Sequence, residues 1–462
     1  MARSVTRSNA EGSAWSARLL SQAGRLVTTS SLLSLARVAG ALAGFVTQVV
    51  LARTLQASAL GVFYSVTSLA AVVGLIAAHG YPAIAPRFMS RYREQGKDRL
   101  IAAFVARARK DAAVYVVIAT AGAIAVAALW PALSVEARLA LGAAALSIPA
   151  NAALRLNGSL AAAIRRFALA YLPDTCIRPF VLLGGVLTLI AAGVTLTASN
   201  VTLLLTVVLT GLALTQYLLL RKDMPKAEAK AVAPKVPSRL VTIWRREAKP
   251  LIIVALFTYF FADVDILIVT PLLASADTAI VGLCLKLALL VGFAVQVAHQ
   301  VVVPDLADAH ARKEHGAMRD VVLKALAFPL AVTIAALIVV GFWGETLLSL
   351  FGPEFTGAKV PLLILLGCQL ARAVFGPSVP LLTVIGAQKQ NAVLAVSALV
   401  VLAVGNLVLA PAYGVLGAAL AVAIATLFWL VACAVVLARL SGLRTDAVYL
   451  LGRLIAARQA RA

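Results

Sequence analysis

The sequence predicts an all-α polytopic membrane protein with about twelve transmembrane helices in two sets of six. Three observations predict it. Hydrophobic residues make up 62% of the 462 residues and the mean hydropathy is +0.97, which is more apolar surface than a water-soluble globule of this length can hide. The apolar runs are continuous rather than alternating, which favours helices over a barrel; only those two structures satisfy every backbone group in lipid. Lys and Arg concentrate in every second loop, the pattern that fixes orientation in multi-pass proteins.

A helical span needs about 20 apolar residues. The first half offers segments at 28–51, 60–80, 112–131, 139–154, 179–195 and 199–220. The second offers 250–273, 279–302, 325–343, 360–384, 391–411 and 414–438. The segments at 139–154 and 179–195 are short and interrupted. With the N-terminus placed in the cytoplasm, only Arg53, Arg138 and Lys359 fall in outside loops, and only Arg37, Lys286 and Arg372 fall within spans. The rest of the 41 basic residues lie in seven inside segments, so both termini are expected in the cytoplasm. The net charge of +22 is therefore a topology signal. No basic domain collects it, so no nucleic-acid partner is expected, whereas contact with anionic membrane lipids is.

The chain divides into an N-tail (1–27), an N-lobe (28–220), a cytoplasmic linker (221–249), a C-lobe (250–438) and a C-tail (439–462). The linker carries Pro225, Pro234 and Pro237 among Lys, Ala and Glu, a spacer composition. Six spans on each side suit two lobes of the same orientation. The N-tail is polar and rich in Ser and Arg, without a cleavable signal peptide. Its residues Ala14–Leu26 place Trp15, Leu19 and Leu26 on one side, as in a helix lying on a membrane. The outside loops are short and leave no room for an enzymatic domain. Cys176, Cys284, Cys368 and Cys433 are isolated, and the four histidines lack ligand spacing. No phosphate-gripping Gly-x-x-x-x-Gly-Lys loop is present. No catalytic residue, metal or cofactor is expected.

Five ionisable residues lie within spans, each at a cost of roughly 2.5–3.5 kcal/mol at a helix centre. Ser30, Ser34, Arg37, Ala41, Gly44 and Gln48 share one helix face. Such a stripe suits a cavity wall; snorkelling to the inner surface and close helix packing are the other uses. Asp263 and Asp265 are about 200° apart on a helix, so one can line a path while the other meets a neighbouring helix. Either is a candidate H+ or Na+ coupling site, or a structural partner of Lys286. Lys286, with Gln296 and Gln300 on the same half of its helix, can hold a phosphate or snorkel outward. Arg372 lies mid-span near Pro377 and Pro380, and broken helices commonly border transport sites.

The run VVLARTLQASALGVFYSVTSLAAVVGLIAAHGYPAIAPRFMSRYREQGK resembles the opening of Wzx-type polysaccharide flippases, whose superfamily also holds MATE multidrug transporters and the lipid II flippase. DILIVTPLLASADTAIVGLCLKLALL followed by VVVPDLADAHARKEHGAMRD is similar to the seventh and eighth helices of that group, and PAYGVLGAALAVAIATLFW to its last pair. The resemblance spans Leu33 to about Ala438, and twelve spans fit Wzx better than the fourteen of the lipid II branch. It implies a V-shaped pair of six-helix lobes around a central cavity. It further implies transfer of an undecaprenyl-pyrophosphate-linked glycan between leaflets of the bacterial cytoplasmic membrane, inner to outer, by alternating access. A polysaccharide polymerase and export machinery would be partners. Lys286 falls where the lipid II branch carries an arginine, although lysine lacks the bidentate fork. Arg37 matches a cavity cation of that branch, Asp265 the acid opening the DILI-like stretch, and Arg87 the arginine before the first basic loop. The expected substrate-binding set is Arg37, Gln48, Arg87, Lys286 and Arg372, with Asp263 and Asp265 for ion coupling. A MATE-like drug exporter is the alternative on the same fold; it would favour acidic and aromatic cavity residues. A membrane enzyme and a scaffold that recruits a synthesis complex through its basic tails are less well matched.

Overall fold

The computed structural model describes residues 33, 35–131, 133–224, 237–311 and 315–441. The two tails, including Ala14–Leu26, and the middle of the linker lie outside the described residues. Within them the first half comprises α1 (Leu35–Thr54), α2 (Ala57–Ala77), α3 (Tyr81–Glu94), α4 (Asp98–Leu129), α5 (Val135–Ala163), α6 (Phe167–Leu172), a π turn (Pro173–Ile177), α7 (Arg178–Ala191) and α8 (Ala198–Asp223). The second comprises α9 (Ser238–Val269), α10 (Ser275–Ala311), α11 (His315–Ser349), a 3-10 turn (Pro353–Ala358), α12 (Lys359–Val374), α13 (Ser378–Val384) and α14 (Gln388–Ser441). No strand occurs among the described residues.

Among the described residues, ten helices are long and apolar enough to cross a membrane. α9 makes eleven once its two segments, Ser238–Thr258 and Phe261–Val269, which meet at 75°, are taken as one span. The twelfth is hidden in α14. Gly414, with φ 59°, interrupts it, and a Cβ on Gly405 would touch Ala421. A straight helix would hold those two residues about 24 Å apart. The chain therefore turns back at Gly414 into two arms, 388–413 and 415–441. Outward-facing side chains suit lipid: Leu35, Val38, Leu42 and Val46 form an exposed face on α1.

Several helices extend beyond their apolar cores. α5 replaces the short segment at 139–154, and α6, the π turn and α7 together replace 179–195. α9 starts at Ser238, well inside the expected linker. Its first turns are amphipathic rather than apolar. Trp244 and Ala248 are buried against Tyr81, Phe88, Tyr92 and Phe104, while Arg239, Arg246 and Lys249 are exposed. A hydropathy rule passes over such a segment because its polar face dilutes the average.

The basic loops gather at one end of the bundle. Arg166 at the start of α6 pairs with Asp223 at the end of α8 at 2.7 Å, and both border a surface pocket with Arg93 and Asp98. At the far end, Glu136 accepts from the Ala198 N–H at 3.0 Å. The two halves meet along α2, which packs on α9 and α10. Gly61 admits the Ser275 carbonyl at the far end, and Gly80 admits the Ala248 carbonyl at the basic end. Gly80 also has φ +71°, which a side chain would resist. Thus α2 touches the second half at both ends.

Candidate functional site

Polar side chains meet at the seam between the halves. On α1, Gln48 Oε1 accepts from the Tyr64 hydroxyl of α2 at 2.6 Å. The Lys286 ammonium of α10 lies 4.8 Å from the centroid of the Tyr64 ring, a cation–π contact. One turn along α2, Ser68 donates to Asp263 Oδ1 of α9 at 2.8 Å, and the Lys286 charge acts on Asp263. Near the basic end of α1, the Arg37 guanidinium lies 5.1 Å from the ring centroid of Phe293 on α10 and 5.9 Å from that of Tyr171 on α6. Arg37 thus faces aromatic groups from both halves, not the lipid that Leu35 and Val38 meet.

Two cations that the loop-charge pattern places in an inside loop, Arg155 and Arg178, lie instead on helices of the first half, in α5 and at the start of α7. Arg155 continues a face of α5 formed by Ser147, Asn151 and Ser159, residues four apart. That is the same signal that singled out Arg37, and it was readable once α5 is known to reach Ala163. Arg178 is placed by the π turn. Pro179 lacks the N–H that would bond the Thr175 carbonyl; the turn widens, and the Arg178 N–H bonds back to the Pro173 carbonyl. The Thr175 carbonyl lies against Gly40 of α1, where any Cβ would collide with it. Asp174 holds the Arg178 guanidinium at 2.8 Å. Wide turns of this kind recur at functional positions in helices.

The cations stand at different depths. Counted from the far end of each helix at ~1.5 Å per residue, Lys286 is ~17 Å in, Arg178 and Arg372 ~20 Å, Arg37 ~26 Å and Arg155 ~30 Å.

The two acids of α9 diverge as their spacing requires. Asp263 faces the seam, whereas Asp265 is fully buried in the second half and accepts from Asn406 Nδ2 at 2.7 Å. Its other oxygen, Oδ2, has no hydrogen-bond partner, and neither has Asn406 Oδ1. A bare cation or a proton would satisfy such a pair of acceptors.

Arg372 lies in a cleft between α9, α10, α12 and the last arm of α14, with Asp263 on its border. Arg87 is elsewhere. It is exposed on α3 and forms an ion pair with Glu247 of α9. Close by, buried Asp111 of α4 accepts from the Tyr81 hydroxyl at 2.7 Å and from Arg245 at 2.8 and 2.9 Å, and pairs with Arg107 at 3.0 Å. These contacts tie the start of α9 to the first half. Of the expected binding set, the structure brings Gln48 and Lys286 together at Tyr64, sets Arg37 about 16 Å further along α1 against Phe293 and Tyr171, puts Arg372 in the adjoining cleft, and leaves Arg87 at the basic surface. Gln296 is exposed on α10, and the Gln300 side chain lies outside the described ones. No group of three metal-ligating side chains occurs among the described residues.

Two halves of six crossings, joined along one seam that buries charged groups, make a fold that solved transporter structures share. The lipid II flippase MurJ in an inward closed conformation superimposes with a TM-score of 0.68 at 14% identity, covering 88% of this chain and 87% of that one. An inward-facing multidrug resistance MATE family transporter gives 0.60 at 13% identity, over 91% of this chain and 100% of the other. A MOP superfamily transporter from Pyrococcus furiosus, described by the reverse polarity of its binding pocket, gives 0.57 at 14%, over 92% and 95%. At these identities the likeness establishes the fold. No protein-family model and no curated protein sequence matches the chain.

Proposed function

We propose that this protein translocates a polyprenyl-pyrophosphate-linked oligosaccharide from the inner to the outer leaflet of the bacterial cytoplasmic membrane by alternating access, for cell-surface or exopolysaccharide synthesis. The observation that carries this reading is a set of cations at staggered depths: Lys286 beside Tyr64 and Arg37 between Phe293 and Tyr171 at the seam, with Arg155 on α5 and Arg178 at the start of α7. A sugar–pyrophosphate head cannot enter hydrocarbon, so it needs donors and positive charge along its way. The lipid tail can remain in the bilayer at the edge of the seam. Arg37, Lys286 and Arg178 would hold the pyrophosphate, with Asp174 occupying Arg178 in its absence. Asp265 with Asn406 would take the coupling proton or sodium ion. The termini would lie in the cytoplasm, beside the positive loops, and a polymerase and export machinery would receive the product. The likeness to MurJ supports a lipid-linked substrate. The MATE-like alternative shares the fold, but a cationic cargo would be repelled by a seam in which cations outnumber acids.

The test is reconstitution of the full chain in liposomes with a fluorescent polyprenyl-pyrophosphate oligosaccharide, scored by an impermeant quencher. Movement to the opposite leaflet by the wild type, reduced at least tenfold in Arg37→Ala and Lys286→Ala at normal insertion, is expected. Equal rates in wild type and both variants would remove the assignment; efflux of a cationic dye in place of lipid would favour the alternative.

A further inference from the structure

The cleft of the second half carries features that pyrophosphate binding at the seam leaves unexplained. α12 lines it with Gln369 and Arg372, one turn apart, and the last arm of α14 contributes Thr426 and Trp429. Gln369 is 7% exposed and Trp429 is 5% exposed. Oε1 of Gln369 and Nε1 of Trp429 nevertheless have no hydrogen-bond partner. Buried polar atoms are almost always paired, so these two mark an incomplete site. No hydrogen bond or ion pair among the described residues holds the Arg372 guanidinium. Asp263 on the border is bonded to Ser68 and lies in the field of Lys286. Gly292 on α10 leaves the space that the Gln369 amide occupies. The rest of the wall is aromatic: the Phe257 ring stands 4.6 Å from Trp429 and 5.0 Å from Phe261.

Each open group asks for a complement. The guanidinium fork suits a planar carboxylate, the indole N–H a second acceptor, and the Gln369 oxygen a hydroxyl. The aromatic wall suits the C–H face of a saturated ring. We infer that this cleft binds an acidic sugar residue of the cargo, its carboxylate on Arg372 and its hydroxyls on Gln369 and Trp429. The inference rests on the flippase reading for the carrier of that sugar. The ligand chemistry comes from the cleft alone.

The full chain purified in detergent is titrated with methyl β-glucuronide and methyl β-glucoside while tryptophan fluorescence is read. The glucuronide is expected to quench and to bind at least about tenfold tighter than the glucoside. Trp429→Phe should lose the signal, and Arg372→Gln should erase the preference, with Gln369→Leu as a second variant should Arg372→Gln fail to fold. Binding of neither sugar, equal binding of both, or a preference that survives Arg372→Gln overturns the inference. In liposomes, lipid-linked glucuronate and glucose probes separate the two levels. Equal transfer of both with no quenching removes the sugar site and leaves the flippase standing; quenching without transfer of either probe does the reverse.

Discussion

Ser68 and Asp263 face each other across the seam, and their 2.8 Å hydrogen bond is a direct polar tie between the two halves at mid-bundle. Any separation of the halves at that depth must break it. Hydrogen bonds to carboxylates are typically worth about 1–3 kcal/mol net. Ser68→Ala should therefore lower stability in detergent by about that amount. A double-mutant cycle with Asp263→Asn should recover a coupling energy of similar size. Additive losses would show that the two side chains do not act together.

Restoring a backbone N–H at residue 179 should straighten the wide turn. Pro179→Ala is expected to preserve insertion and folding while moving Arg178 off the seam. Transfer of the lipid-linked probe should fall severalfold, approaching the rate of Arg178→Ala. If Pro179→Ala transfers as fast as wild type while Arg178→Ala does not, the turn is not what aims the arginine.

Asn406→Ala removes the single partner of a fully buried carboxyl. The cost of an unsatisfied buried group is about 1–3 kcal/mol, more if charged. The coupling assignment adds a second expectation. Sodium ions or a fall in pH should raise the thermal midpoint of the wild type, through preferential binding to the folded state, and should do so far less in Asp265→Ala. Identical responses in the two proteins would exclude Asp265.

Arg53 closes the far end. Its Nε and Nη2 donate to the Leu350 and Ser349 carbonyls at 2.7 and 2.6 Å, binding the end of α1 to the end of α11. Phe45 and Phe351 pack edge to face just beneath, at 5.6 Å. Arg53→Ala should increase the labelling rate of a cysteine placed at Gly44, where a side chain meets open space, by a reagent confined to that side. Unchanged labelling would mean that the aromatic pair closes this end without Arg53.

The membrane class and the all-α, many-spanned architecture were legible because apolar length and loop charge report them directly. The divergence of Asp263 and Asp265 followed from helix geometry alone. What escaped the reading shares one physical cause. Hydropathy sees a span only where all faces are greasy, so the amphipathic start of α9 and the long end of α5 passed for loop. Arg155 and Arg178 were then counted as topology signals, although each projects from a helix. Arg87 was the converse: a matching position in a family pattern, which the structure pairs with Glu247 at the surface. The linear chain announces only Arg107, one turn before Asp111; its other partners, Tyr81 and Arg245, come from two separate helices.

The staggered depths of Arg155, Arg37, Arg178 and Lys286 have a kinetic corollary. A headgroup passing such stepping stones is always leaving one anchor for another a short way on, so no lone residue dominates the barrier. Losing one cation should slow the journey, whereas losing two neighbours should interrupt it, with a penalty greater than the product of the separate defects.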